Sequence, residues 1–292
     1  MGDVLAIVAA LLFAFGTVLQ QKGTLTTEAK GDDARFLVQI LRRPVWLAGA
    51  AMQGVGWIVQ AVALDKASLV VVQSLCALSL VIALPLGVWL THQRVGPREI
   101  AGAALTLIGI VFFLAAGQPQ GGTTNPSATS WWIACLVTAA LVAVLYLVSR
   151  NWTGAAKALA FGAAAGLGYG LQAAVTKTFV TLVGQGFVTL VTSWSVYVLI
   201  ISALSGFALQ QSALKTGVLA PAMASSNSVT LFSSVILGIG VYGETISKSG
   251  SGHAGAAVVG LVVAIVGIAL LAGAQAPQGD AATGSPDPSP AA

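Results

Sequence analysis

Polar side chains are scarce in this chain, and those that could bind a solute stand inside long apolar stretches. They are Gln20, Gln21, Gln53, Gln60, Gln73, Ser74, Gln172, Thr176, Gln210 and Gln211, followed by the run Ser225-Ser226-Asn227-Ser228. Amides and hydroxyls of this kind hydrogen-bond or coordinate, and they do not titrate near neutral pH. The groups that could couple to a proton or hold a hard cation, Asp65, Glu99 and Glu244, fall where the apolar stretches end. Lys22 and Lys177 fall near stretch ends too, with stems long enough to carry an ammonium out to water. Cys76 and Cys135 lie within apolar runs and read as small packing residues. No phosphate-binding glycine loop, dinucleotide fingerprint, metalloprotease pair or nucleophile elbow is present. The inventory is that of a binding path, with no catalytic constellation, no cofactor motif and no metal-ligand set.

The elements carrying these residues follow from composition. Of 292 residues, 57% are hydrophobic and 8% charged, against about 25% charged in a water-soluble domain. Mean hydropathy is +0.90. A chain this poor in charge cannot cover a water-facing surface. Charge-poor stretches at 4–21, 45–64, 67–90, 100–117, 131–149, 157–180, 192–213, 217–243 and 254–274 are each of a length that spans about 30 Å of hydrocarbon. The sequence thus predicts an all-α membrane protein of about nine transmembrane helices. Residues 118–130 form a polar break, and Gly184-Gln185-Gly186 separates the sixth span from the seventh. The first run, preceded by Met1-Gly2-Asp3, lacks a basic leader and cleavage site and reads as a retained span. The tail 276–292, rich in Pro, Gly, Ser and Asp, reads as disordered. The net charge of +4 is scattered over short loops, which argues against a nucleic-acid partner and leaves the lipid bilayer as the surrounding medium.

Alternating the loops between two sides puts Lys66, Lys177 and Lys248 on one face. Lys22, Lys30, Arg35, Arg42, Arg43, Arg94, Arg98, Arg150, Lys157 and Lys215 fall on the other. The positive-inside rule makes the second face cytoplasmic, with the N-terminus outside and the C-terminus inside. His92 and His253 then fall on opposite sides and cannot share a metal. Trp46, Trp89, Trp131, Trp132, Trp152 and Trp194 lie near span ends, as interfacial rings do. The loop 31–44 reads as a basic interfacial helix ended by Pro44.

The halves of the chain resemble one another. Gly56-Trp57-Ile58-Val59-Gln60-Ala61-Val62-Ala63-Leu64 aligns without a gap on Gly206-Phe207-Ala208-Leu209-Gln210-Gln211-Ser212-Ala213-Leu214, at an offset of 150. Gly102 and Gly109 recur at the same separation as Gly260 and Gly267, and Lys22 and Lys177 occupy similar places in the first and sixth spans. These matches predict two inverted four-helix repeats, 1–117 and 157–275, flanking a central fifth helix in 118–156. Such symmetry is common in secondary transporters, whose site lies near the midplane.

Gln60 and Gln210, matched by the repeat, and Asn227 with Ser226, Tyr169 and Gln172 are the candidates to line a path for a small solute or cation. A single interhelical hydrogen bond accounts equally well for any one glutamine. Pro221, about two turns before Asn227, either frees a carbonyl into a cavity or shapes a polar kink. Gly162, Gly166 and Gly170 form a small-residue stripe suited to close helix packing or to sliding. Lys22, Lys177 and Glu244 are the mouth charges.

Several segments resemble one known group. Gln20-Gln21-Lys22-Gly23, residues Trp46 to Leu86 with Ala63-Leu64 and Gln73 to Leu80, Gln210 to Glu244 with Val218-Leu219-Ala220-Pro221, and the glycine-bearing Gly255 to Gly273 are similar to the drug/metabolite transporter superfamily. Within it they most resemble the NIPA-type magnesium transporter branch. The resemblance implies secondary transport by alternating access, and the branch implies a divalent cation. In magnesium-transporting relatives an acidic residue follows the second-span glycine, where this chain has Gly54-Val55-Gly56-Trp57. Magnesium commonly takes one or two carboxylates, so the departure leaves a neutral or singly charged solute as the other expectation. A non-transporting membrane scaffold or accessory protein is the expectation from a different class.

Overall fold

The structure is a computed structural model that describes residues 1–25, 43–91, 95–123, 125–183, 185–214, 216, 219–246 and 251–274. Its helices are α1 (Gly2–Leu25), α2 (Pro44–Lys66), α3 (Leu69–Ala77), α4 (Ser79–Thr91), α5 (Pro97–Gly117), α6 (Ala128–Ser149), α7 (Gly154–Val183), α8 (Phe187–Thr192), α9 (Trp194–Leu214), α10 (Leu219–Gly240) and α11 (Ser251–Ala274). Nine helical spans among the described residues are long and apolar enough to cross a membrane, α3 and α4 together forming one of them. The chain is therefore an all-α integral membrane protein, as its composition requires. The interfacial segment and the C-terminal tail read from the sequence fall largely outside the described residues. Pro44 proves to be the first residue of α2, where its missing N–H costs nothing.

Three differences from the sequence reading bear on function. The third span is broken. Leu78 donates to the Leu75 carbonyl at 3.1 Å, three residues back, and the α-ladder resumes with Ile82 donating to Leu78 at 2.9 Å. Pro85, inside α4, then removes the donor that would meet the Val81 carbonyl. The sixth span, α7, runs on to Val183, so Lys177 lies inside a helix and not at its end. The polar break after α5 is ordered in part: β1 (Gln120–Gly121) pairs antiparallel with β2 (Glu244–Thr245).

Helices pack here through backbone approach, because lipid tails are as apolar as leucine and offer no hydrophobic drive between helices. α1 lies on α2, where a Cβ on Gly16 would stand 2.8 Å from the Gly49 carbonyl. α5 lies on α11 along a seam in which Gly102 faces Gly267 and Gly109 faces Gly260; a Cβ on Gly267 would fall 2.8 Å from the Gly102 oxygen. The stripe of α7 meets α10: Gly162 opposes the Ala222 carbonyl, Gly166 the Ser226 carbonyl and Gly170 the Ser233 hydroxyl. α7 is the central helix, with 72% of its span buried, whereas only 11% of the α6 span is buried. The exposed face of α6, including Trp132, Leu136 and Val148, is therefore part of the apolar surface that lipid covers.

Candidate functional site

Glu244 ends the chain's path from α10 into β2, and it is the most deeply buried acid among the described residues, with its side chain fully enclosed. The backbone builds its cradle. Gly122, at φ +95°, would place a Cβ 2.9 Å from the Glu244 Cγ, and a Cβ on Gly238 would fall 2.7 Å from Glu244 Oε2. Only glycine fits at either place. The carboxylate accepts from the N–H groups of Leu69, to Oε1, and Val70, 2.9 Å to Oε2. These are the first free amides of α3, whose N-cap Ser68 accepts from Val71 N–H at 3.2 Å. A carboxylate here satisfies orphan donors and meets the positive end of the helix dipole.

Lys177 completes the arrangement. Its ammonium donates to Glu244 Oε1 at 2.8 Å and to the Ala67 carbonyl at 3.1 Å, and it lies 4.8 Å from the centre of the Tyr242 ring. Tyr242 in turn donates to the Ala174 carbonyl at 2.7 Å and shares a hydrogen bond of 2.8 Å with Thr178. Burial pushes the Tyr242 phenol well above its ordinary range, with the neighbouring Glu244 charge adding to the effect, so it remains a neutral hydroxyl. Trp131 packs edge-on against Tyr242 and also against Trp194, 5.0 Å between ring centres. It is a core residue and not an interfacial one.

The cluster borders a cavity of about 850 Å³ that opens on the face carrying Asp3. Its polar lining includes Asp3, Asp65, Lys66, Gln118, Gln120 and Lys177. Asp65 and Lys66 stand 3.7 Å apart and are half-exposed, a pair worth little on its own. The strap of residues 118–123 crosses the mouth and is tied down by Thr123 N–H on the Tyr242 carbonyl at 2.7 Å.

The mouth charges expected from the sequence thus separate. Lys22 stays in the last turn of α1. Lys177 does not reach for the headgroups, and Glu244 does not offer a free carboxylate to a cation: each neutralises the other, because a buried charge without a partner costs several kcal/mol. The sequence had placed both on one side of the membrane, which was the available signal for the pairing. Tyr242, Trp131 and the strap had no such signal.

The deeper candidates lie in different seams. Gln60 is half-buried on α2, which packs on α1, whereas Gln210 is buried on α9, which packs on α7, and donates to Met223 Sδ at 3.1 Å. Tyr169 fills the notch at Gly206, where a Cβ would fall 3.0 Å from its ring. Gln172 is half-buried on α7, its carbonyl bonded by Thr176. Ser226 is buried and gives its carbonyl to Thr230 at 2.7 Å. Pro221 belongs to the first turn of α10, where its amide would have no intrahelical partner. Five buried polar atoms among the described residues have no hydrogen-bond partner: Gln73 Nε2, Gln210 Oε1, Asn227 Nδ2, Ser228 Oγ and Ser234 Oγ. Of these residues, Ser234 did not figure among the sequence candidates, and it differs from its neighbours only by where the fold puts it. No group of three or more potential metal ligands occurs among the described residues.

Nine apolar spans among the described residues, a glycine-packed interior and a polar cavity at one face define a polytopic integral membrane protein. The chain belongs to the same family as the uncharacterized protein Cgl0250/cg0304 of Corynebacterium glutamicum, with which it shares 31% identity over 244 residues, 82% of this chain and 83% of that one. No family model matches the chain. No solved structure matches it either.

Proposed function

We propose that this protein is a secondary transporter that moves a small solute across the cell membrane by alternating access between two inverted four-helix repeats, as the resemblance to the drug/metabolite transporter superfamily implies. The observation that carries the reading is the clamp at the mouth. Lys177 and Glu244, both from the second half, grip the α2–α3 turn of the first half at the Ala67 carbonyl and the Leu69 and Val70 amides. The contact is polar, directional and beside a cavity, which suits a gate better than a permanent weld. Helix pairing supports the repeats: α1 on α2 has its counterpart in α7 on α9, and the α5–α11 seam sets Gly102 and Gly109 against Gly267 and Gly260. With the positive-inside orientation the clamp closes the outer mouth.

A divalent cation is the less favoured cargo. The one enclosed carboxylate among the described residues is already held by an ammonium and two amides, and magnesium binds through oxygen ligands that it finds commonly in carboxylates.

The test is accessibility. In a chain with Cys76 and Cys135 replaced by alanine, Val71→Cys on the cavity wall and Asn227→Cys on α10 are labelled with membrane-impermeant thiol reagent in oriented vesicles. Transport predicts that Val71→Cys reacts from the outer side and Asn227→Cys from the cytoplasmic side, with Glu244→Gln raising the first rate and lowering the second. A static scaffold gives rates that Glu244→Gln leaves untouched, which would sink the reading.

A further inference from the structure

Four of the five unpartnered polar side-chain atoms among the described residues belong to α3 and α10. Gly238 of α10 lies against Val70 of α3, its missing Cβ 2.7 Å from Val70 Cγ2. Leu231 and Val235 of α10 share one apolar cluster with Val70, and Ala77, Leu78 and Leu80 pack on it. Asn227, Leu231, Ser234 and Gly238 succeed one another at intervals of four, three and four, so they occupy one arc of α10, and Val70, Gln73 and Ala77 occupy one arc of α3 in the same manner. Gln73 of α3 and Ser234 of α10 therefore stand on the arcs by which these two helices meet, and Asn227 and Ser228 lie about two turns further along α10. Gln73 and Ser234 are 7% and 0% exposed, so water outside the bundle does not reach them.

The break at Leu78 falls near the middle of this span and on the same seam. The start of α4 puts the positive end of a short helix dipole inside the bilayer. Interrupted helices whose half-helix ends face a midplane site are how membrane bundles hold solutes. The chemistry of the bare groups is one-sided. Two are amide nitrogens, which only donate, and two are hydroxyls that can donate. No lysine, arginine or carboxylate lies within these parts of α3, α4 and α10.

We propose that the seam of α10 with α3, beside the break that follows α3, is a binding site for the hydrogen-bond-accepting oxygens of a small organic solute, a carbonyl or carboxylate, and not for a metal cation. This rests on the transporter reading for why donors are left bare in a bilayer, but binding is measured without transport. Purified protein in detergent is titrated with acetamide, acetate, methylammonium and magnesium chloride, and the melting temperature is followed. Acetamide or acetate raises it in a saturable manner, methylammonium and magnesium do not, and Asn227→Ala weakens the apparent affinity about tenfold, as loss of one buried hydrogen bond does. Ser234→Ala serves as the second variant, because removing a hydroxyl without a partner in the protein leaves the fold intact, and it lowers affinity by a similar factor. A shift with acetate alone assigns the site to an anion, and with acetamide as well to a carbonyl oxygen in general; either supports the proposal. A shift with magnesium alone, no shift with either acceptor, or affinity unchanged in both variants overturns it. Saturable binding in a chain that never changes its labelling pattern would sink the transporter reading and keep the site, whereas a changing pattern without binding would do the reverse.

Discussion

Lys177 Nζ and Glu244 Oε1 lie 2.8 Å apart with the carboxylate wholly enclosed, and each is the other's only charged partner among the described residues. Breaking such a pair from one side leaves a buried charge unbalanced, at a cost of about 3–5 kcal/mol. Glu244→Gln and Lys177→Met should therefore each lower the melting temperature in detergent strongly, and the double variant should recover much of the loss. A double-mutant cycle reads the coupling directly. Additive losses would mean that the backbone contacts of each residue, and not the pair, hold the mouth closed.

The glycine seams give a second prediction. A side chain at Gly109 would strike the Ala264 backbone and stand 2.8 Å from the Gly260 oxygen, atoms that belong to a helix and cannot move alone. Gly109→Val is expected to lose about 1–3 kcal/mol or more through overpacking. Gly54 has open space where its Cβ would be, so Gly54→Ala should be neutral or stabilising by up to about 1 kcal/mol through helix propensity. Thermal unfolding of the two variants side by side separates a packing requirement from a general intolerance of α-helical change.

Gln73 carries an amide nitrogen that is buried without a partner, and leaving such a group unpaired costs about 1–3 kcal/mol. Gln73→Leu should raise the melting temperature in the absence of solute while abolishing any shift with acetate. A stability gain coupled to a binding loss marks a residue kept for function. A stability loss would show that Gln73 is structural.

Tyr242→Phe removes the hydrogen bonds to Ala174 and Thr178 and should cost about 1 kcal/mol. The wild-type chain has a matching pH dependence. A phenol whose burial raises its folded pKa above the unfolded value of about 10 leaves stability untouched below that pH. Above it the unfolded chain sheds a proton that the folded chain retains, and stability falls until the folded phenol ionises. Unfolding followed upward from neutral pH should show this loss in the wild type and less of it in Tyr242→Phe.

The sequence by itself determined the class of the protein, the number of its apolar spans and the approximate place of each. Those properties depend on local composition and length, and hydrocarbon imposes them segment by segment. The stripe at Gly162, Gly166 and Gly170 was legible for the same reason, since a period of four along one helix marks one face. What α7 meets along that stripe was not, because periodicity names a face and not its partner. Tertiary structure alone decided that Lys177 turns inward to Glu244, that Gln60 and Gln210 part into separate seams, and that a break at Leu78 packs on the cluster of Leu231 and Val235 from α10. Each depends on residues distant in the chain, Glu244 and Leu69 by 175 positions, and a buried charge or amide is placed by which distant backbone reaches it.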